Sequence, residues 1–285
     1  LSARDSQLPL VSGGQTVVAS LQALGVDTVF GLISVHMLDV YDALYHASDS
    51  LRFIGCRHEQ AAAYMADGYA RASGKPGVLL SSTGPGAANT LGAMGEAFAC
   101  SSPLLHITSN VETALVNSGR GALHEPKDQL GMFRSVTGWN ALIPDVESIP
   151  GHLFEAFRRF QTQRPRPIHL EVPTDVLAQE ADVELPLPLD YPPKQGHPGQ
   201  VERAARLLAG ASRPAIWVGS GLISSNATPE LLELCELLQC PVTTTHGGKG
   251  AIPDDHPLAL GCSLGGRGYG GNPIHDFLET CDCLL

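Results

Sequence analysis

Between residues 27 and 173, strand-like runs rich in valine, isoleucine, leucine and phenylalanine recur as DTVFGL (27–32), LRFIGC (51–56), GVLLSS (77–82), PLLHITS (103–109) and PIHLEVP (167–173). Amphipathic helical patterns lie between most of them. Strands that alternate with helices are the habit of a parallel sheet covered by helices. The pattern therefore predicts an α/β domain built on a doubly wound parallel sheet. One helix also shows where it stops. AAAYMADGYARAS (61–73) has small or apolar residues at helical spacing, followed by Gly74 where a C-cap belongs and Pro76 just beyond. The helix should end at about Ser73.

At 285 residues, 43% of them hydrophobic, the chain suits two packed domains better than one. QEADVELPLPLDYPPKQGHPG (179–199) carries Pro186, Pro188, Pro192, Pro193 and Pro198, a density that fits an extended linker. The first domain is expected over 1–178, the linker over 179–199 and a second α/β domain over 200–285. The alternation restarts there with PAIWVGSG (214–221), the helical PELLELCELLQC (229–240) and PVTTTHGGKG (241–250). The final DFLETCDCLL has no turn or cap after it, and the expectation is a second domain cut before its end.

A net charge of −11 argues against a nucleic-acid partner, which would want a basic face. Apolar stretches are broken well short of the ~20 residues a membrane span needs, and no basic-then-apolar leader opens the chain. No membrane association and a cytoplasmic location follow by default. Seven cysteines, an odd number without paired C-x-x-C spacing, point to free and mostly buried thiols, not to disulfides or zinc. No metal ligands are assigned.

In doubly wound sheets ligands bind at the carboxyl ends of the strands, so the loops that follow strands are where chemistry belongs. Three stand out: GLISVH (31–36), CRHEQ (56–60) and STGPGAAN (82–89). Taken alone, Glu59 in the second is a first-turn acid favourable to the helix dipole by ~0.3–1 kcal/mol. Taken alone, Gly84-Pro85-Gly86 in the third is a tight strand-to-helix turn. Their joint placement at one predicted sheet edge is what points to a ligand site.

RHEQAAAYMADGYARASGKPGV followed by TGPGAAN resembles the pyrimidine-binding domain of thiamine diphosphate enzymes of the acetolactate synthase and 2-oxoacid decarboxylase group. The similarity runs over 10–175, and 200–285 resembles the first half of that family's central domain. The resemblance implies thiamine diphosphate as cofactor and Glu59 as the carboxylate at N1′ of its aminopyrimidine. Such an acid lets the 4′-amino group take the C2 proton of the thiazolium. Thr83, Pro85, Gly86 and Asn89 are implied as the wall of the pyrimidine site. Gln129 in HEPKDQLGMF matches a glutamine that relatives point towards thiazolium and substrate. His36 corresponds by register to the active-site histidine of benzaldehyde lyase-like members, ahead of His58 and His124. Where many relatives have a Pro-Gly pair, this chain reads Gly31-Leu32-Ile33-Ser34-Val35-His36, which leaves substrate choice open.

The family holds the diphosphate and Mg²⁺ with a Gly-Asp-Gly…Asn segment of a C-terminal domain, and these residues contain none. The implied protein is thus the N-terminal part of a longer homo-oligomeric enzyme, dimer or tetramer, with its active site between subunits. It would decarboxylate 2-keto acids with carboligation. The alternatives are a simple decarboxylase, a benzaldehyde lyase-like C–C lyase, or a non-catalytic binding or regulatory module of the same fold. Some relatives bind FAD in the central domain. Many others keep the fold empty, and VGSG and HGGKG lack the spacing of a nucleotide site, so an empty central domain is the expectation and bound FAD the alternative.

Overall fold

The computed structural model describes residues 10–187, 191–192, 194–263 and 273–285. The chain divides into two compact units, at residues 193 and 194. The first contains β1 (Val11–Ser12), α1 (Gly13–Ala23), β2 (Thr28–Gly31), α2 (Leu38–His46), β3 (Arg52–Gly55), α3 (Glu59–Ser73), β4 (Gly77–Ser81) and α4 (Pro85–Ala88). It continues with α5 (Leu91–Cys100), β5 (Leu104–Asn110), α6 (Gln129–Phe133), β6 (Trp139–Leu142), α7 (Ile149–Thr162), β7 (Ile168–Pro173), α8 (Thr174–Ala178) and β8 (Glu180–Ala181).

Six of these strands form one sheet in the order β3-β2-β4-β5-β7-β6, and every pair is parallel. Alternation along the strands explains why both faces are covered. Val78 and Leu80 of β4 enter a core with Val17, Leu21, Val40 and Leu153 from α1, α2 and α7. Leu79 between them enters a second core with Ala62, Ala66, Ala93, Met94 and Phe133 from α3, α5 and α6. Each such leucine contributes ~1.5–3 kcal/mol by leaving water, so a slip of one residue in register would exchange the two cores at high cost.

Helix ends follow local chemistry. Ser12 and Gln15 form a reciprocal capping box at the start of α1. Gly74 takes a left-handed φ of 73° after α3, which ends at Ser73 where the sequence placed it. Strand β6 is not among the runs the sequence marks. WNAL has no β-branched residue and lies half-buried at the sheet edge, so its strand state rests on pairing Trp139 with Ile168 and Leu142 with Glu171.

In the second unit β9 (Pro214–Val218), β10 (Val242–Thr244), β11 (Ala259–Cys262) and β12 (Cys283–Leu284) pair in parallel in the order β11-β10-β9-β12. Its helices are α9 (Pro198–Ala209), α10 (Ser220–Ser224), α11 (Thr228–Leu238) and α12 (Pro273–Glu279). Ile216, Val218, Leu231, Cys235, Val242 and Ile252 fill its core.

The proline-rich span opens on β8, which pairs antiparallel with β1, and closes on α9, whose first residue is Pro198. Among its described residues 182–187, 191–192 and 194–197 carry neither helix nor strand; Pro188 and Pro193 lie outside the described residues. All seven cysteines are free, but only Cys235 and Cys240 are buried. The expectation of mostly buried thiols is corrected here, because the other five sit near element ends where packing is incomplete. Among the described residues no helix is long and apolar enough to cross a membrane.

Candidate functional site

The sheet order reverses direction at β2, which has β3 on one side and β4 on the other. The connections leaving β2 and β4 therefore run to opposite sides of the sheet, and a crevice opens between their carboxyl ends. Loops after β2, β3, β4 and β5 meet around it.

Glu59 is the first residue of α3, with only 9% of its surface exposed. His58 caps the helix with extended backbone, and its Nδ1 accepts from the Gln60 N–H at 3.2 Å. That bond uses the His58 ring for structure. The Glu59 carboxylate faces the opposite loop, where Asn89 Nδ2 donates to Oε2 at 2.9 Å. Oε1 has no hydrogen-bond partner among the described residues. Beside it lies Gly86, on which a β-carbon would sit 3.2 Å from Oε1 and 2.9 Å from Ser82 Cβ. The carboxylate thus has one oxygen held and one free, next to a gap that only glycine leaves open.

The turn that delivers Gly86 is built with equal economy. Gly84 has φ 60° and ψ −116°, a conformation that disfavours any side chain, and Pro85 follows at the first position of α4 with its fixed φ. Thr83 is fully buried; its N–H donates to Ser109 Oγ at 3.1 Å and its hydroxyl to Gln129 Oε1 at 2.9 Å. The same Oε1 accepts the Gly84 N–H at 2.7 Å. Gln129 Nε2 in turn donates to Thr108 Oγ1 and to the Ser109 carbonyl, both at 3.1 Å. With both ends of its amide engaged and 1% of its surface exposed, Gln129 ties the turn after β4 to the end of β5.

On the other side of the crevice His36 lies in a short turn at 35–37, half-buried, with Nδ1 3.3 Å from Ser82 Oγ. The His124 ring stands 5.2 Å from it, centroid to centroid. Burial, and then the neighbouring His124, lower the His36 pKa below its usual value, so the ring is neutral at neutral pH. His124 sits at φ 64° on a loop folded around Glu125, whose carboxylate accepts from the Ser118 hydroxyl and from the N–H groups of Gly119, Gly121 and Ala122.

The structure therefore brings Glu59, Gly86 and Asn89 together on one side, His36 with Ser82 and His124 on the other, and Thr83 and Gln129 beneath. Pro85 is exposed at the turn. The sequence reading passed over Ser82 and ranked His124 low. It also missed Tyr41, whose hydroxyl donates to the Leu32 carbonyl at 2.9 Å and whose pKa burial pushes well above the usual phenol range. Nothing local in the sequence marks these contacts: Ser82 and His124 meet His36 from separate loops, and the Tyr41 bond closes the turn from β2 into α2. Among the described residues no three His, Cys, Asp or Glu side chains are placed to hold a metal ion.

The site fits an aminopyrimidine on its own chemistry. A buried carboxylate with one free oxygen can exchange a proton with a ring nitrogen, and the glycine turn leaves room for a flat ring beside it.

Comparison with known proteins agrees with this. A family model described as "Thiamine pyrophosphate enzyme, N-terminal TPP binding domain" matches residues 11–132, and one described as "Thiamine pyrophosphate enzyme, central domain" matches residues 201–285. A probable acetolactate synthase large subunit of Methanocaldococcus jannaschii is 43% identical over 283 residues, covering 96% of this chain and 46% of the relative. A probable 2-ketoarginine decarboxylase of Pseudomonas aeruginosa is 41% identical over 256 residues, 89% of this chain and 45% of the relative. The mitochondrial acetolactate synthase catalytic subunit of Saccharomyces cerevisiae is 37% identical over 268 residues, 90% of this chain and 38% of the relative. The chain spans less than half the length of these relatives.

Proposed function

The chain belongs to the thiamine pyrophosphate enzyme family, and from that premise we propose that it is the N-terminal part of an enzyme that decarboxylates 2-keto acids and joins the product to an acceptor carbonyl, in the manner of acetolactate synthase. The observation that carries the reading is the Glu59 carboxylate, buried at a helix start with Oε2 held by Asn89 and Oε1 free beside Gly86. An acid that only favoured the helix dipole would not need an oxygen kept open beside a glycine gap.

Bound thiamine diphosphate would supply a carbon nucleophile and an electron sink for cleaving the bond next to a keto-acid carbonyl. The residues of this chain do the rest. Glu59 Oε1 holds and moves a proton at N1′ of the pyrimidine, while Asn89 keeps the carboxylate aimed. The buried wall of Thr83, Gly84 and Gly86 excludes water and fixes the ring plane. Gln129 serves by positioning that wall, since its amide has no hydrogen-bonding capacity left for a substrate. His36, held neutral by burial, accepts and returns protons on the substrate side. In this reading the diphosphate and Mg²⁺ are held by a further part of the protein, and the complete site forms between subunits of a homo-oligomer.

A simple decarboxylase is the second reading. Its support is the relative named 2-ketoarginine decarboxylase, whose 41% identity nearly equals the 43% of the acetolactate synthase. A non-catalytic module of the fold has no use for a carboxylate with one oxygen left free.

The test is Glu59→Gln in the full-length protein, read by C2 proton exchange of bound thiamine diphosphate. Glutamine keeps the Asn89 bond but lacks the ionisable proton. Exchange should fall at least about a hundredfold with little change in melting temperature. Exchange within about threefold of wild type would return Glu59 to a structural role. Product analysis with pyruvate then separates the synthase from the decarboxylase.

A further inference from the structure

Beneath the turn after β4 lies a row of buried polar side chains that the site chemistry does not use. Ser81 Oγ lies 2.8 Å from His106 Nε2, His106 Nδ1 lies 3.1 Å from His169 Nδ1, and His169 Nε2 lies 2.9 Å from Glu171 Oε1. Asn110 Nδ2 donates to Glu171 Oε2 at 2.7 Å. The four linked residues are at most 1% exposed. They lie on one face of β4, β5 and β7, in the register that sets Leu79 against His106, His106 against His169 and Thr108 against Glu171. The Phe133 ring stacks on His169 at 3.8 Å and seals the layer. Apolar side chains would fill such a layer without the desolvation cost of a carboxyl and two imidazoles, so a row that bears that cost invites a role.

Counting protons shows what the row can do. With Glu171 ionised, Ser81 donates to His106 Nε2, His106 Nδ1–H to His169 Nδ1, and His169 Nε2–H to the carboxylate. With Glu171 protonated, every bond reverses: the acid donates to His169 Nε2, His169 Nδ1–H to His106 Nδ1, and His106 Nε2–H to Ser81, whose own hydroxyl turns to the Ser82 carbonyl 3.2 Å away. Both arrangements satisfy every group, and they differ by one proton. Each imidazole exchanges one N–H for the other and stays neutral. Uptake of one proton from solvent at the Ser81 end, with each bond passing its own proton on towards Glu171, converts the first state into the second, and loss of one proton reverses it.

Both ends touch the candidate site. Ser81 precedes Ser82, whose hydroxyl meets His36. Glu171 lies beside Gln129, whose amide holds Thr83 and Gly84. We propose that Glu171, His169, His106 and Ser81 form a two-state buried proton relay, and that Glu171 is through it a positioning residue for the turn at 82–84.

Burial raises the Glu171 carboxyl to about 7, which places the reversal near neutral pH. Burial likewise drives His169 down to about 3 and His106 well below its usual value, so neither imidazole charges in this range. The ionisable groups facing Glu171 are His169 on its own strand and Asp128 ahead of α6, the latter acting to raise it; β5 sets Thr108 and β6 sets Leu142 against it, and His106 reaches it only through His169. The relay does not depend on which reaction the protein performs.

The test is histidine nitrogen NMR of the full-length protein across neutral pH. His106 and His169 should exchange tautomers together in one step without forming imidazolium, and the His36 signal should move in the same step. Glu171→Gln should fix both rings in the tautomers of the protonated state at every pH, because the amide must accept from Asn110 and donate to His169. It should also abolish the His36 response. Should that variant not fold, Ser81→Ala is the second arm: it strips His106 Nε2 of its donor in the ionised state and of its acceptor in the protonated state, and because a buried unpaired N–H costs more than an unpaired ring nitrogen it should move the step to lower pH. Tautomers that do not change with pH, an imidazolium signal, a variant that titrates like wild type, or a His36 signal indifferent to the step would each overturn the proposal.

Discussion

The carbonyl oxygen of His124 occupies the place where a side chain on Gly84 would begin: a β-carbon built there lies 2.2 Å from it. The loop after β5 is thus seated directly on the turn after β4. Gly84→Ala must either push that loop away or abandon the left-handed backbone. Overpacking and backbone strain of this kind cost ~1–3 kcal/mol each. We expect a clear fall in melting temperature and faster proteolysis within 117–125 than in wild type. An unchanged melting curve would show that the contact is not maintained.

Asn89→Asp sets a second carboxyl 2.9 Å from Glu59 Oε2, in place of a donor. Two carboxylates at that distance cannot both ionise, so the pair retains a proton to higher pH than Glu59 alone. The pH dependence of C2 proton exchange in the full-length enzyme should move upward. Asn89→Ala serves as control, since it removes the donor without adding charge and should produce a smaller upward displacement than Asn89→Asp.

His36 is lowered by burial and by His124. His124→Ala opens the site to water and removes the neighbouring ring, and both changes raise the His36 pKa towards its ordinary value. Nitrogen or carbon NMR titration of His36 reads this directly. His36→Ala should slow turnover while leaving C2 proton exchange close to wild type, because the histidine acts on substrate and Glu59 on the cofactor. Equal turnover would remove His36 from the chemistry.

The buried row also sets how stability answers acid. Glu171, raised to about 7 from 4.5, binds a proton in the folded state where the unfolded chain does not. Its contribution therefore declines as pH rises between those values. His106 and His169, both lowered from 6.5, work in the opposite sense: below that pH the unfolded chain takes up two protons that the fold refuses. Below 6.5 the two imidazoles outweigh the single carboxyl, so acidification destabilises the fold through these three groups. Glu171→Gln removes the opposing group and should steepen that loss. Urea midpoints measured against pH check it, and parallel curves for the two proteins would contradict it.

What could be read in the sequence was whatever neighbouring residues determine. Five of the six strands of the larger sheet were legible because their apolar runs are continuous, and the end of α3 because Gly74 marks it. Strand β6 was not, since its state is imposed by the partner strand. The acid at 59 was legible through its motif. What Gln129 does was not, because its partners at 83, 84, 108 and 109 come from segments that only the sheet brings into contact. The buried row had one local sign, His169 and Glu171 two residues apart and hence on one face of a strand, yet PIHLEVP reads as an ordinary strand until β5 supplies His106.

The short ribbon that pairs Val11 with Ala181 and Ser12 with Glu180 has a mechanical meaning. The chain enters and leaves the first unit through adjacent strands running in opposite directions, so tension applied across the flanking segments would open this pair of strands one residue at a time, like a zip. The six-stranded sheet would feel the load only after the ribbon had parted. Everything between residues 13 and 179 is in this sense a closed loop hung from a clasp, and stretching the protein from outside would release the clasp before it moved the site.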